Sequence, residues 1–233
     1  MRPLAMRHFV ASAITVFLAT SAAATDNCAA DAMIVFDGSG SMAEMGFNNI
    51  DEPRIFEARR AVAEAMPQVA QFRRLGLIVY GPDGADECSG ITLRFPPRTD
   101  AAADVIAAVD ALQPAGSTAL AAAVEMAAVE LDHTRRPATI VLVTDGKDTC
   151  GGTPCTLATT LANDGVETTV HIVGFKVRSD FFSWEDNSAA DPGVTESVAR
   201  CLADETGGTY THAETVQQLV DALIATLGCR LLF

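Results

Sequence analysis

Asp37, Ser39 and Ser41 alternate with glycines in the stretch Asp37-Gly38-Ser39-Gly40-Ser41. One carboxylate and two hydroxyls at that spacing, on a backbone the glycines allow to turn tightly, present several oxygen atoms around one point. Oxygen donors of this kind suit a hard divalent cation. The same residue types also build ordinary turns, in which Asp and Ser side chains satisfy nearby backbone groups, so the stretch by itself leaves both readings open.

The element that must carry these residues lies directly upstream. Ala32-Met33-Ile34-Val35-Phe36 is an unbroken apolar run, which reads as a strand covered on both faces, as in a parallel sheet. Ligands bind at the carboxyl edge of such sheets, where Asp37 would emerge. A second buried strand, Thr139 to Thr144, ends in the same way at Asp145-Gly146-Lys147-Asp148. With strand order 3-2-1-4-5-6 the two strands are neighbours, and Asp37 and Asp145 meet across the crevice. Alone, Asp145 also reads as a turn aspartate.

The remaining pattern alternates helix and strand, which predicts an α/β doubly wound, mostly parallel six-stranded sheet with one antiparallel edge strand and helices on both faces. A helix is expected over about Arg54 to Val69, kinked or restarted by Pro67. A strand at Leu75 to Tyr80 follows, then the turn Gly81-Pro82-Asp83-Gly84 and a short edge strand Ile91 to Phe95 that Pro96-Pro97 ends. Thr99 and Asp100 open a helix through about Leu112; Thr118 opens another through about Asp132, where it has the ordinary alternative role of a helix N-cap. Thr153-Pro154 begins a helix to about Asn163 that Gly165 can stop, and Thr168 to Phe175 is a strand. A helix over Val194 to Glu205, a short strand at Thr209 to Thr211 and a helix from Ala213 to Leu227, capped by Gly228, complete the domain. Residues 176–192 fit no periodicity; Phe181-Phe182-Ser183-Trp184 there reads either as a partner-binding rim or as rings folded onto the core.

The D-x-S-x-S arrangement of Asp37, Ser39 and Ser41, followed by the threonine of Gly116-Ser117-Thr118 and the aspartate of Val143-Thr144-Asp145-Gly146, resembles the von Willebrand factor A (vWA) domain with all five positions of its metal-ion-dependent adhesion site (MIDAS) filled. The resemblance extends over about residues 30 to 228. It implies that Asp37, Ser39 and Ser41 hold Mg²⁺, or Mn²⁺ in its place, directly or through water. Thr118 would be the ligand that comes and goes, and Asp145 would coordinate directly or through a water. Two carboxylates are few for a divalent cation, so the ion keeps residual positive charge and an exchangeable position, which a partner's Asp or Glu can fill. The expectation is a protein-binding domain and not an enzyme. Against a dehalogenase-type phosphatase, Ser39 stands where the general acid would be; against a serine hydrolase, Gly38-Ser39-Gly40 is not G-x-S-x-G. A metal-dependent hydrolase, or a metal-independent scaffold binding through 176–192, are the alternatives.

Residues 1–24 carry Arg2 and Arg7, a short apolar run from Phe9 to Ala19 and a small-residue exit at Ser21 to Ala24. This is the pattern of a secretory signal peptide, and the run is too short to span a bilayer. The expected mature chain, 25–233, is one domain in the periplasm or outside the cell. Removing the two arginines takes the formal net charge from −14 to −16, which argues against nucleic acid and anionic membranes as partners. Six cysteines in an exported chain point to disulfides. The expected pairs are Cys150–Cys155, closing a short loop beside Asp145, and Cys28–Cys229, tying the termini, with Cys88 left over and Cys201 a buried thiol on a helix face.

Overall fold

The computed structural model describes residues 30–45, 52–177 and 200–228. The elements in order are β1 (Asp31–Asp37), a 3₁₀ turn (Gly40–Ala43), α1 (Arg54–Val69), β2 (Leu75–Tyr80), β3 (Ile91–Arg98), α2 (Ala102–Asp110), α3 (Leu120–Glu130), β4 (Ala138–Thr144), α4 (Pro154–Asp164) and β5 (Thr168–Phe175). Then come a helix whose described part is 200–206, here α5, the strand β6 (Tyr210–Ala213) and α6 (Val216–Leu227). The six strands form one sheet in the order β3-β2-β1-β4-β5-β6. All pairs are parallel except β2 with β3, so the doubly wound sheet with an antiparallel edge is as expected.

The sheet is buried on both faces because β1 is apolar from Ala32 to Phe36 between its two terminal aspartates. Ala32, Ile34 and Phe36 pack with α1, α2 and α6, while Met33 and Val35 pack on the other face with α3, α4 and α5. Alternation of side chains along a strand sends successive residues to opposite layers, so each layer claims every second residue. β2 and β4 are likewise buried at every position, whereas β3, with one open edge, alternates between half-buried and exposed residues.

Three local expectations are corrected. Pro67 does not interrupt α1, which runs through to Val69; the carbonyl its ring leaves unbonded belongs to Ala63, on the exposed face, where water can satisfy it. Pro96-Pro97 does not end β3. Leu77 pairs with Phe95 and Leu75 with Arg98, so the two prolines face one residue of β2 in a bulge where no N–H has to be donated. Thr118 is not the N-cap of α3: Ala119 holds that position without a side-chain cap.

The cysteine pairing is also corrected. Cys150 bonds Cys88, not Cys155, and Cys155 bonds Cys201, which is therefore not a free buried thiol. Cys155 is the second residue of α4 and its side chain meets α5. Cys150 sits in a turn whose backbone N–H donates to Asp148 Oδ1, and it faces the β2–β3 loop instead. The expected Cys28–Cys229 pair, the 1–24 leader and Phe181 to Trp184 lie outside the described residues. A non-reducing digest should return linked peptides joining Cys88 to Cys150 and Cys155 to Cys201. Replacing Cys88 and Cys150 together by Ala should lower unfolding stability by about 4 kcal/mol, as the chain-entropy account gives for a loop of this size; urea denaturation measures it.

Candidate metal-binding site

β1 delivers Asp37 to the carboxyl edge of the sheet between the last residue of β2, Tyr80, and the end of β4, where Thr144 and Asp145 stand. The Asp37 carboxylate is completely buried and uses both oxygens. Oδ1 accepts from the Ser39 N–H at 2.9 Å and the Ser39 hydroxyl at 2.5 Å. Oδ2 accepts from the Thr144 hydroxyl at 2.7 Å and the Asp145 N–H at 3.4 Å. Thr144 in turn accepts from the Tyr80 hydroxyl at 3.0 Å. Burial, and then the negative charge of Asp37, hold the Tyr80 phenol well above its ordinary range, so it stays a proton donor.

The second carboxylate is joined through serine. The Ser41 hydroxyl donates to Asp145 Oδ1 at 2.7 Å, and the Ser39 and Ser41 hydroxyl oxygens are 3.1 Å apart. Each hydroxyl has one hydrogen. The contact between the two serines links the two carboxylate–hydroxyl pairs, and either hydroxyl can be its donor. Asp145 Oδ2 is buried and makes no hydrogen bond among the described residues. Arg54 Nη1 lies 3.3 Å from that oxygen and donates to the Ser41 carbonyl at 2.9 Å. Burial first, then the Asp37 charge, push the Asp145 carboxyl up to about 7, against the opposing effects of the Ser41 hydrogen bond and Arg54.

Thr118 reaches this edge by backbone. The loop before α3 is stitched to the serine loop by Gly40 N–H to Gly116 carbonyl and Ala115 N–H to Gly38 carbonyl, both 3.0 Å. Gly116 has φ +70, and a Cβ there would lie 2.2 Å from the Gly81 carbonyl, so only glycine permits the approach. Thr118 is buried, its N–H donates to the Thr149 hydroxyl and its carbonyl accepts from the Thr149 N–H, both at 2.9 Å. Its own hydroxyl makes no hydrogen bond among the described residues. The structure thus brings Asp37, Ser39, Ser41 and Asp145 into one hydrogen-bonded chain and sets Thr118 in the adjoining loop.

Several residues at this edge were not singled out by the sequence reading: Arg54, Tyr80, Thr144, Asp148 and Thr149. Asp148 takes the capping role that Thr118 lacks: its Oδ2 accepts from the Ala121 N–H in the first turn of α3, and its Oδ1 accepts from the Cys150 and Gly152 N–H groups, all at 2.9 Å. Arg54 did leave a signal. A cation at the first position of a helix opposes the helix dipole, which marks a residue held there for another purpose. Among the described residues no cluster of three or more His, Cys, Asp or Glu exists, so the edge has two carboxylates plus neutral oxygens, unlike a thiolate or imidazole site.

A sheet of this order carrying an Asp-x-Ser-x-Ser loop at its carboxyl edge is similar to the vWA fold. Residues 32–147 match the family model of the von Willebrand factor type A domain. The chain is 29% identical over 208 residues to the uncharacterized protein YwmD of Bacillus subtilis (strain 168), covering 82% of this chain and 88% of that one. Among solved structures it resembles the pilus adhesin SpaC of Lactobacillus rhamnosus GG, with TM-score 0.63 and 13% identity, over 87% of this chain and 31% of that one. It also resembles proximal thread matrix protein 1 of the mussel byssus, solved with a zinc-occupied MIDAS motif, with TM-score 0.56 and 17% identity, over 86% of this chain and 46% of that one. At these identities the two structures speak for the fold alone.

The Asp145 shift sets a pH dependence for the ion-free protein. Its folded value, about 7, lies above the ordinary 3.8, so between those values the folded state binds more protons than the unfolded chain. The stability gained from protonated Asp145 is complete below pH 4 and is lost as pH rises through 7. In chelator, the melting temperature should fall across that window, and Asp145→Asn should remove most of the fall.

Proposed function

We propose that this chain is an exported interaction domain that captures a partner protein's Asp or Glu carboxylate through Mg²⁺, or Mn²⁺ in its place, held by Asp37, Ser39, Ser41, Thr118 and Asp145. The observation that carries the reading is the convergence of two buried carboxylates and two serine hydroxyls at one corner of the sheet edge. The hydroxyl oxygens are 3.1 Å apart and each also touches a carboxylate, so oxygen donors crowd one point as a hard cation requires. The neighbouring chemistry agrees with a hard ion: two carboxylates, hydroxyls and a Thr118 hydroxyl free of other hydrogen bonds among the described residues. Bound there, the ion would supply local attraction for an acid on a chain whose overall charge of −14 otherwise repels one.

The protein's own residues would divide the work. Asp37 and the serines hold the ion at a fixed point on the sheet edge, because their backbone is clamped by β1 and by the stitched loops. Thr118 and Asp145 are each supported from a different segment, Thr118 by Thr149 and Asp145 by Ser41. The family's usual role in protein–protein interaction and adhesion, and the adhesin among the structural relatives, point the same way. Export fits the two disulfides, which persist in oxidising compartments. Among the described residues no helix is long and apolar enough to cross a membrane.

Isothermal titration of Mg²⁺ and Mn²⁺ into chelator-treated protein tests the reading. One ion per chain is expected, with uptake abolished by Asp37→Ala. Thr118→Ala should keep uptake within about tenfold, the scale of one weak ligand, but lose chelator-sensitive capture of partner from an envelope extract. No heat with either ion would overturn the proposal.

A further inference from the structure

Arg54 is among the largest completely buried side chains, and most of its hydrogen-bonding capacity is unspent. Nε and Nη2 have no hydrogen-bond partner among the described residues. Nη1 alone is engaged, with the Ser41 carbonyl at 2.9 Å, Asp145 Oδ2 at 3.3 Å and, more remotely, Glu44 Oε2 at 3.8 Å. A buried cation with idle donors is an expensive way to fill space, because an apolar side chain of that volume would pack without desolvating a charge. What the guanidinium does provide is a fixed positive charge against Asp145 Oδ2, tied to the serine loop through the Ser41 carbonyl. Asp145 Oδ2 faces Arg54, and Oδ1 is left facing the serine pair.

We propose that Arg54 is the site's internal counter-ion: it holds Asp145 in place when no metal is bound, and it supplies the positive charge that lets a loaded site accept one partner carboxylate. The inference rests on the reading that the Asp37–Asp145 edge binds a divalent cation. Charge counting carries it. Two carboxylates and a divalent ion sum to zero, so the ion's local attraction for an acid has no net charge behind it. With Arg54 the buried part of the loaded site is +1, and one incoming carboxylate neutralises it; Glu44, 3.8 Å from Nη1, is half-exposed, so water screens its charge. The same charge weakens the hold on the ion itself, since like charges a few ångströms apart in a dry site repel strongly. Arg54 thus trades ion affinity for carboxylate affinity, and as a positioning residue it acts through Asp145 and the ion without touching the partner.

The two effects run in opposite directions, which a merely structural role would not produce. In full-length protein at pH 8, Arg54→Gln should bind Mn²⁺ at least about tenfold more tightly than wild type, the smallest effect expected of a charge at this range. Its ion-free form should melt roughly 10 °C lower, as loss of a buried ionic partner implies. Sodium acetate, compared with sodium chloride at equal ionic strength, should tighten Mn²⁺ binding in wild type and fail to do so in Arg54→Gln, because coupling between two ligands is reciprocal. Arg54→Lys keeps the charge and should behave like wild type in both titrations. Unchanged or weaker Mn²⁺ binding by Arg54→Gln, or an Arg54→Lys protein that follows the Gln variant, would overturn the proposal. Should the Gln variant not fold without metal, adding Asp145→Asn removes the stranded charge and should restore folding; failure of that rescue also counts against Arg54. Wild-type protein that takes up no Mn²⁺ refutes the metal reading instead, and the Asn rescue still decides whether Arg54 balances Asp145.

Discussion

Two carboxylates forced together at the ends of neighbouring parallel strands are the constraint on which the rest of this structure depends. β1 and β4 pair in register up to Phe36 and Val143, so Asp37 and the Thr144–Asp145 pair have to share one buried corner. Left uncompensated, two negative charges removed from water at that separation would cost more than any single contact in the domain returns. Each oxygen of Asp37 is accordingly satisfied by a different segment, two donors from the serine loop and two from the end of β4. Asp145 is balanced by Ser41 on one side and Arg54 on the other. The compensation is incomplete, as the raised Asp145 titration records. The corner therefore keeps electrostatic strain between its two carboxylates.

Strain of this kind needs loops that do not relax, and the edge is knit accordingly. Four segments meet there, following β1, β2, α2 and β4, and each is bonded to another through backbone: Gly40 to Gly116, Ala115 to Gly38, Ser117 to Glu87 and Thr149 to Thr118. The Cys88–Cys150 disulfide adds a covalent tie between the second and fourth of them. Asp148 fixes the fourth again by capping α3 from outside that helix. Such cross-bonding replaces the flexibility expected of exposed loops with the rigidity that a preorganised ligand set requires.

The same facts explain what was legible in the amino-acid order. Continuous apolar runs gave away β1, β2 and β4, because a strand buried on both faces leaves no polar position to confuse the reading, and the sheet order followed from alternation of helix and strand. Asp37 and Asp145 were found because both end such runs. The disulfides were not legible: Cys150 and Cys155 are close in sequence, but α4 begins between them and turns Cys155 toward α5, and direction is a tertiary property. Pro67 and Pro96-Pro97 misled for the converse reason. A proline breaks an element only where its missing N–H is needed, and at an exposed last turn or an edge bulge it is not. Tyr80, Thr144 and Arg54 carry no motif; their importance comes from register with Asp37 and from packing of α1 across the edge.

That packing has a second ionic tie, and it bears on how firmly the site is held. α1 contributes Glu57 one turn beyond Arg54, and Glu57 forms a buried ion pair with Lys176 just past the end of β5. Lys176 adopts φ +50, a backbone conformation that non-glycine residues avoid and that costs about 1 kcal/mol or more, yet its N–H is bonded to the Ala213 carbonyl. The first turn of α1 is thus joined to the ends of two adjacent strands by charges of opposite order, its cation to β4 and its anion to β5. An apolar contact tolerates sliding, whereas two buried ion pairs three residues apart hold the first turn of α1 at two points, one at each strand end. The guanidinium beside Asp145 is thereby held where a displacement would change the charge felt by both carboxylates.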